Sequence, residues 1–311
     1  MSSNAPASRP PSPPSGALTA GLVAVQCLVW GSTWIVIQGG LRDLPPFTSA
    51  AARFWLAGAV MALAARVLGR REGGAAPATW LWIVMGTTNF AVSYGLVYWA
   101  ETRLPSGLTA VLWAVFPLLM ALATRWFLKG ARLAPTQWLG FVVGFAGVVA
   151  LFWTDVGRFG SGAVTAGIVL LGSPLVSAVG TTVVKRHGAQ TSSLLLNRNG
   201  MLLGAALLSS LAFATERGAP ARWSAPAVAS IAYLALVGTS LTFGLYFWLM
   251  RYADAYKLSL ISYVTPTIAL LLGAAVGGEP LRGTTFIGAA LVLAGVVLAV
   301  RPRSAAGGRS K

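Results

Sequence analysis

The sequence predicts an all-α integral membrane protein: ten transmembrane helices in two inverted five-helix repeats, with both termini cytoplasmic. Three observations carry that expectation. Hydrophobic residues fill 56% of the 311 positions and charged residues only 10%, and the mean hydropathy is +0.72. Soluble domains carry about a quarter charged residues, so this chain has too little polar surface for water and takes lipid as its solvent. Apolar runs of roughly 20 residues recur along it, each long enough to cross a hydrocarbon core of about 30 Å. The second half then repeats the plan of the first.

The elements follow in order. Residues 1–16 (MSSNAPASRPPSPPSG) are rich in Pro and Ser and form a disordered cytoplasmic tail, too polar for a signal peptide. Segment 1 covers 17–38 and ends in Gly39 and Gly40, ahead of the Pro45-Pro46 turn. Segment 2 (47–68) runs to Arg70 and Arg71, and segment 3 (79–100) to Glu101 and the turn at Pro105. Segment 4 (106–128) holds Pro117 and stops at a basic turn containing Lys129 and Arg132. Segment 5 (135–154) opens on Pro135, while segment 6 (161–184) carries Pro174 and closes on Lys185 and Arg186. Segments 7 (192–214), 8 (225–250), 9 (257–276, with Pro266) and 10 (282–300) precede a basic tail at 301–311. Only helices or closed barrels span lipid, and these runs lack the two-residue alternation of barrel strands.

The repeat is visible residue by residue. Trp99 falls on Trp248 and Pro117 on Pro266, both 149 apart, while Gly140 falls on Gly288 and Gly147 on Gly295, both 148 apart. Trp30-Gly-Ser-Thr in segment 1 matches Val179-Gly-Thr-Thr in segment 6, and Gly86-Thr-Thr with Tyr94 matches Gly238-Thr-Ser with Tyr246. An odd number of spans per half makes the second half enter the membrane from the opposite face. The domains expected are therefore 17–154 and 161–300. Secondary transporters use such inverted repeats, binding substrate near the midplane where the halves meet. Lys and Arg fix the orientation: fifteen of the 23 fall on the side of the termini and six on the other.

Several functions are excluded at this stage. With one cysteine, Cys27, and one histidine, His187, no internal disulfide and no His/Cys metal cluster can form. The net charge of +16 is scattered through short turns, which argues against nucleic acid as a partner. No Walker A motif is present and no cofactor is expected. An intramembrane enzyme would need paired acids or a Ser/His or Ser/Lys couple at depth. No Asp, Glu, Lys or His lies near the middle of any segment.

The combination of motifs resembles the EamA branch of the drug/metabolite transporter superfamily across residues 17–300. WGSTWIVIQGGLRDLPPFTSAAARFWLAG spans segments 1 and 2, YWAETRLPSGLTAVLWAVFPL spans segments 3 and 4, and GGEPL lies between segments 9 and 10. The resemblance implies ten helices, a central cavity lined by helices 1, 3, 4, 6, 8 and 9, and export of amino acids, metabolites or drugs from bacteria. Two departures stand out. The Glu that many relatives carry after segment 4 is replaced by KGARL here, and Tyr94 stands where relatives tend to have an amide.

Candidate residues follow from chemistry and depth. Glu101, at the outer end of segment 3, is placed to act as a proton carrier or gate at a cavity rim, or else as a solvated partner of Arg103. Trp30, Tyr94, Tyr98, Trp113, Tyr246 and Tyr263 combine apolar rings with polar edges, suited either to enclosing an amphiphilic ligand or to the interfacial belt. Ser32, Thr33, Asn89 and Thr181 supply polar groups to the same helices; Ser and Thr can back-bond their own helix, whereas an amide in lipid wants an external partner. Pro117, Pro174 and Pro266 each free a backbone carbonyl, serving as hinges or fixed kinks. Arg53 and Arg198 are expected to snorkel to the nearer interface, with a substrate carboxylate as the alternative partner. Gly140 and Gly144 form a GxxxG that packs a neighbouring helix or makes a homodimer. The expected function is a bacterial cytoplasmic-membrane carrier exporting a small amphiphilic solute; a passive facilitator with the same fold is the rival.

Overall fold

The computed structural model describes residues 14–127, 134–252, 258, 261–278 and 283–300. Helix is the only extended regular structure among them, with one isolated backbone bridge between Ala75 and Thr191. Helix α1 (Gly16–Gly40) begins where the Ser15 hydroxyl accepts the Leu18 N–H. Helix α2 (Pro46–Glu72) puts Pro46 in its first turn, where a missing N–H removes no helical bond. Segment 3 is α3 (Thr79–Met85), a π-helical stretch Gly86–Val92 and α4 (Ser93–Glu101). Segment 4 divides into α5 (Ser106–Trp113) and α6 (Phe116–Phe127). Helices α7 (Pro135–His187) and α8 (Ser193–Thr215) follow. Segment 8 is α9 (Ala225–Ala235), a second π-helical stretch Leu236–Leu241 and α10 (Thr242–Leu249). The last two helices are α11 (Ile261–Gly277) and α12 (Gly283–Val300).

Among the described residues, seven helical stretches are long and apolar enough to cross a membrane, and two shorter apolar helices, Val264–Gly277 and Phe286–Gly295, accompany them. The turn expected at 155–160 is absent: α7 is continuous for 53 residues. At 1.5 Å per residue that is about 80 Å, more than twice a hydrocarbon core, so α7 contains both segments 5 and 6. The physical reason is that this stretch holds glycine but no proline, and glycine alone does not end a helix.

The two prolines at equivalent positions differ. Pro117 lies in the first turn of α6, just after a break at Ala114 and Val115, whereas Pro266 stays inside α11, as Pro174 does inside α7. The equivalent Gly-Thr motifs behave alike: Gly86-Thr-Thr and Gly238-Thr-Ser both sit in the π-helical stretches. Thr87 and Thr88 there donate back to the Ile83 and Val84 carbonyls at 2.8 and 2.6 Å. A π-helical turn in an α-helix is often a functional feature.

Helices α2 and α8 run antiparallel, and each ends in a glutamate that caps the other. The Glu216 carboxylate accepts the Phe47 and Thr48 N–H groups at 2.7 and 2.8 Å, at the start of α2. The Glu72 carboxylate accepts the Ser193 N–H at 2.7 Å and the Ser192 and Ser193 hydroxyls at 2.6 and 2.8 Å, at the start of α8. Carboxylates are favoured at a helix N-terminus by the unpaired N–H groups and by the dipole. Midway, Gly58 lies so close to Leu202 that an added Cβ would fall 2.6 Å from its Cδ2. At the far side of the bundle α7 meets α12 through glycines. A Cβ on Gly295 would lie 2.5 Å from the Gly140 carbonyl and the Gly144 Cα, so this GxxxG packs a helix of its own chain.

Candidate functional site

A cavity lies where the helices of the two halves converge, with about 80 Å³ of room for the centres of water molecules. Helix α1 presents Trp30, Thr33, Trp34 and Ile37, a spacing of three and four residues that keeps them on one face. Segment 3 adds Asn89 from the π-helical stretch with Ser93, Tyr94 and Val97, and the break in segment 4 turns Trp113 and Phe116 inward. From the other half come Ser177 and Thr181 on α7, Phe243, Tyr246 and Phe247 on α10, and Leu258, Ser262 and Thr265 of segment 9. The lining thus comes from segments 1, 3, 4, 6, 8 and 9, three from each half.

Hydroxyl and amide groups tie the wall together. Ser177 donates to Ser93 at 2.8 Å, the Ser93 and Ser173 hydroxyls are 2.8 Å apart, and Trp113 Nε1 donates to Ser173 at 3.0 Å. Thr181 donates to Asn89 Oδ1 at 3.0 Å, and Asn89 Nδ2 donates to Thr88 Oγ1 at 3.0 Å. Other groups on the wall are unmatched. The buried Trp30 Nε1, Trp34 Nε1 and Tyr246 hydroxyl have no hydrogen-bond partner among the described residues. Rings pack at a tilt around them, with Trp30 centred 5.3 Å from Phe243 and 5.5 Å from Tyr246.

Of the sequence candidates, Trp30, Thr33, Asn89, Tyr94, Trp113, Thr181 and Tyr246 come together on this wall. Ser32 is turned away, its hydroxyl 2.6 Å from that of Tyr233 and donating to the Val29 carbonyl. Tyr98 is wholly buried behind the wall. Glu101 is 3% exposed and is not among the lining residues, so a solvated rim carboxylate is not what the fold makes of it. The side chain of Tyr263 lies outside the described residues, as do Lys129, Arg132 and Glu279.

Arg53 is the correction of most consequence. It does not snorkel: it is fully buried, donating through Nε to Thr239 Oγ1 at 2.7 Å and through Nη1 to the Tyr98 hydroxyl at 3.4 Å. Its guanidinium carbon stands 4.6 Å from the Tyr94 ring centroid, behind a residue that lines the cavity. The signal was present in the sequence. Ala50, Phe54, Ala57 and Met61 form the buried face of α2, and Arg53 lies on that face three residues from Ala50 and four from Ala57. Phe116, Phe243 and Phe247 also line the wall, and with no polar edge nothing in an apolar run sets them apart in the sequence.

Comparison with known proteins decides the family. Residues 17–153 and 164–301 each match the EamA-like transporter family. The chain belongs to that family. EamA-like transporters of the drug/metabolite transporter superfamily include its relatives YvbV of Bacillus subtilis, an uncharacterized transporter that is 26% identical over 90% of both chains, and YedA of Escherichia coli K12, an uncharacterized inner membrane transporter that is 28% identical over 87% of both. PecM of Dickeya dadantii is 26% identical over 85% of this chain and 88% of its own. A crystal structure with a TM-score of 0.69 and 23% identity covers 92% of this chain and 97% of the other, an agreement of fold. The protein is a multi-pass membrane transporter of the EamA type.

Proposed function

We propose that this EamA transporter is a secondary carrier that exports a small amphiphilic solute, an amino acid or related metabolite, across a bacterial cytoplasmic membrane by alternating access. The observation that carries the proposal is the cavity itself, lined by segments 1, 3 and 4 of one half and 6, 8 and 9 of the other. The antiparallel course of the equivalent helices α2 and α8 supports inversion of the halves, and inverted halves rocking about a midplane site give alternating access.

Contacts between the halves exist at both ends of the bundle. At one, the Arg222 N–H donates to the Asp43 carbonyl at 2.8 Å and the Ser224 hydroxyl donates to the Asp43 carboxylate. At the other, Ala75 pairs with Gln190 and Ser192, and Arg251 Nη1 forms an ion pair with Glu72 at 3.1 Å. The excess of Lys and Arg puts the second end, with Lys185, Arg186 and Arg251, in the cytoplasm. Two gates that close in turn distinguish a carrier from a passive facilitator. In this scheme Pro117, Pro174 and Pro266 are hinge candidates, and Glu101 is the candidate for proton coupling.

The test is solute flux in vesicles reconstituted with the purified protein. A carrier exchanges labelled solute against an excess of unlabelled solute inside. Flux with no such counterflow supports a passive facilitator instead, and absence of flux across amino acids, nucleosides and cationic drugs contradicts transport of these classes.

A further inference from the structure

We infer that the cavity selects an aromatic solute that presents acceptor oxygens and carries no net positive charge; this rests on the transport site proposed above. Three features of the wall carry it. The first is ring surface: eight of its side chains are Trp, Tyr or Phe, enough to enclose a planar apolar body. The second is a surplus of donors. Trp30, Trp34 and Tyr246 each hold a buried N–H or O–H group with no acceptor among the described residues, and Tyr246 is 4% exposed. A buried donor left unmatched is unfavourable, and a ligand carbonyl or carboxylate on this wall supplies what is missing.

The third feature is the sign of the local charge. None of the described lining residues is Asp or Glu, so a ligand ammonium finds no counter-charge on the wall. Ring faces alone can hold a cation, but the Tyr94 ring already has the Arg53 guanidinium carbon 4.6 Å from its centroid. Arg53 is fully buried, held by Thr239, Tyr98 and the Gly238 carbonyl, and makes no ion pair among the described residues, so its positive charge reaches the cavity through little solvent. It repels a cation and attracts an oxyanion. Zwitterions with a carboxylate belong to the accepted class; simple amines do not.

The test uses three probes of one shape: phenylacetate, neutral phenylacetamide and phenethylamine. Each is titrated into the purified full-length protein in detergent and followed by calorimetry. Phenylacetate and phenylacetamide should bind, with phenethylamine at least about tenfold weaker. Equal or tighter binding of the amine, or binding of none of the three, overturns the inference. Tyr246→Phe, which deletes only the hydroxyl, then separates a ligand donor from a structural one. It should weaken phenylacetate about tenfold while the ligand-free protein unfolds at the wild-type temperature or above, since no internal bond is lost. A lower unfolding temperature with phenylacetate affinity unchanged overturns the assignment of this donor. Calorimetry reads binding without flux, so a protein that binds phenylacetate yet moves no solute in vesicles contradicts the carrier proposal and supports this one.

Discussion

Glu72 and Glu216 stand at opposite ends of the α2–α8 pair, and each carboxylate closes the N-terminus of the other's helix. The relationship is close to symmetric but not fully so. Glu72 also holds Arg251 at 3.1 Å, with side chains 8% and 12% exposed, and no ion pair is found at Glu216 among the described residues. Of the two ends of the bundle, the Glu72 end is therefore the more tightly tied.

That asymmetry sets a stability order. Glu216→Ala removes a helix cap, worth about 1 kcal/mol. Glu72→Ala removes a cap and strands a largely buried arginine, which should cost about 3 kcal/mol. Thermal unfolding in detergent should show the larger drop for Glu72→Ala; equal drops, or the reverse order, would show that the ion pair adds nothing.

The α7–α12 contact allows almost no side chain. Gly295→Ala forces a Cβ to within 2.5 Å of backbone atoms at Gly140 and Gly144 and should destabilise the protein by about 1–3 kcal/mol. Gly162, also in α7, has nothing within 4 Å of its added Cβ, so Gly162→Ala should be neutral or stabilising by up to about 1 kcal/mol. The pair of melting curves checks the packing directly.

Arg53 separates stability from function. Arg53 makes no ion pair among the described residues, so Arg53→Met strands no counter-charge, and removing a costly buried charge offsets the lost hydrogen bonds to Thr239 and Tyr98. Arg53→Met should therefore unfold near the wild-type temperature and yet transport at least about tenfold more slowly, because the positive charge behind Tyr94 is gone. Normal flux combined with a large loss of stability would make Arg53 a structural residue.

Glu101 addresses coupling. If it carries the transported proton, flux varies with pH in the wild type and stops varying in Glu101→Gln, measured in vesicles at matched solute gradients. A wild type indifferent to pH removes Glu101 from the mechanism.

The sequence was most legible where a physical constraint is local. Lengths of apolar runs follow from the thickness of lipid, and the Gly-Thr motifs 152 residues apart turn out to share the same π-helical backbone. Trp30, Asn89 and Tyr94 stand out in the sequence because polar edges well inside an apolar run need partners. The rest depended on tertiary contacts. Ser32 differs from Thr33 by one residue but by a large turn around the helix, and only the packing of α1 against α9 sends Ser32 to Tyr233. Tyr98 is one turn beyond Tyr94 on α4, yet Arg53 holds it behind the wall. For Arg53, snorkelling is the general habit of arginine near a helix end. The buried stripe of Ala50, Phe54 and Ala57 outweighs it, because a helix face packed against α4 and the second π-helical stretch offers no route to the interface.

The central claim is that the cavity opens to each side of the membrane in turn. Cys27 is the chain's single cysteine, so Cys27→Ser leaves a background without thiols. Thr33→Cys in that background places one thiol on the cavity wall. A membrane-impermeant thiol reagent added to oriented vesicles should label it from either side, and transported solute should slow both reactions. Labelling from one side only, at a rate the solute does not change, would contradict alternating access.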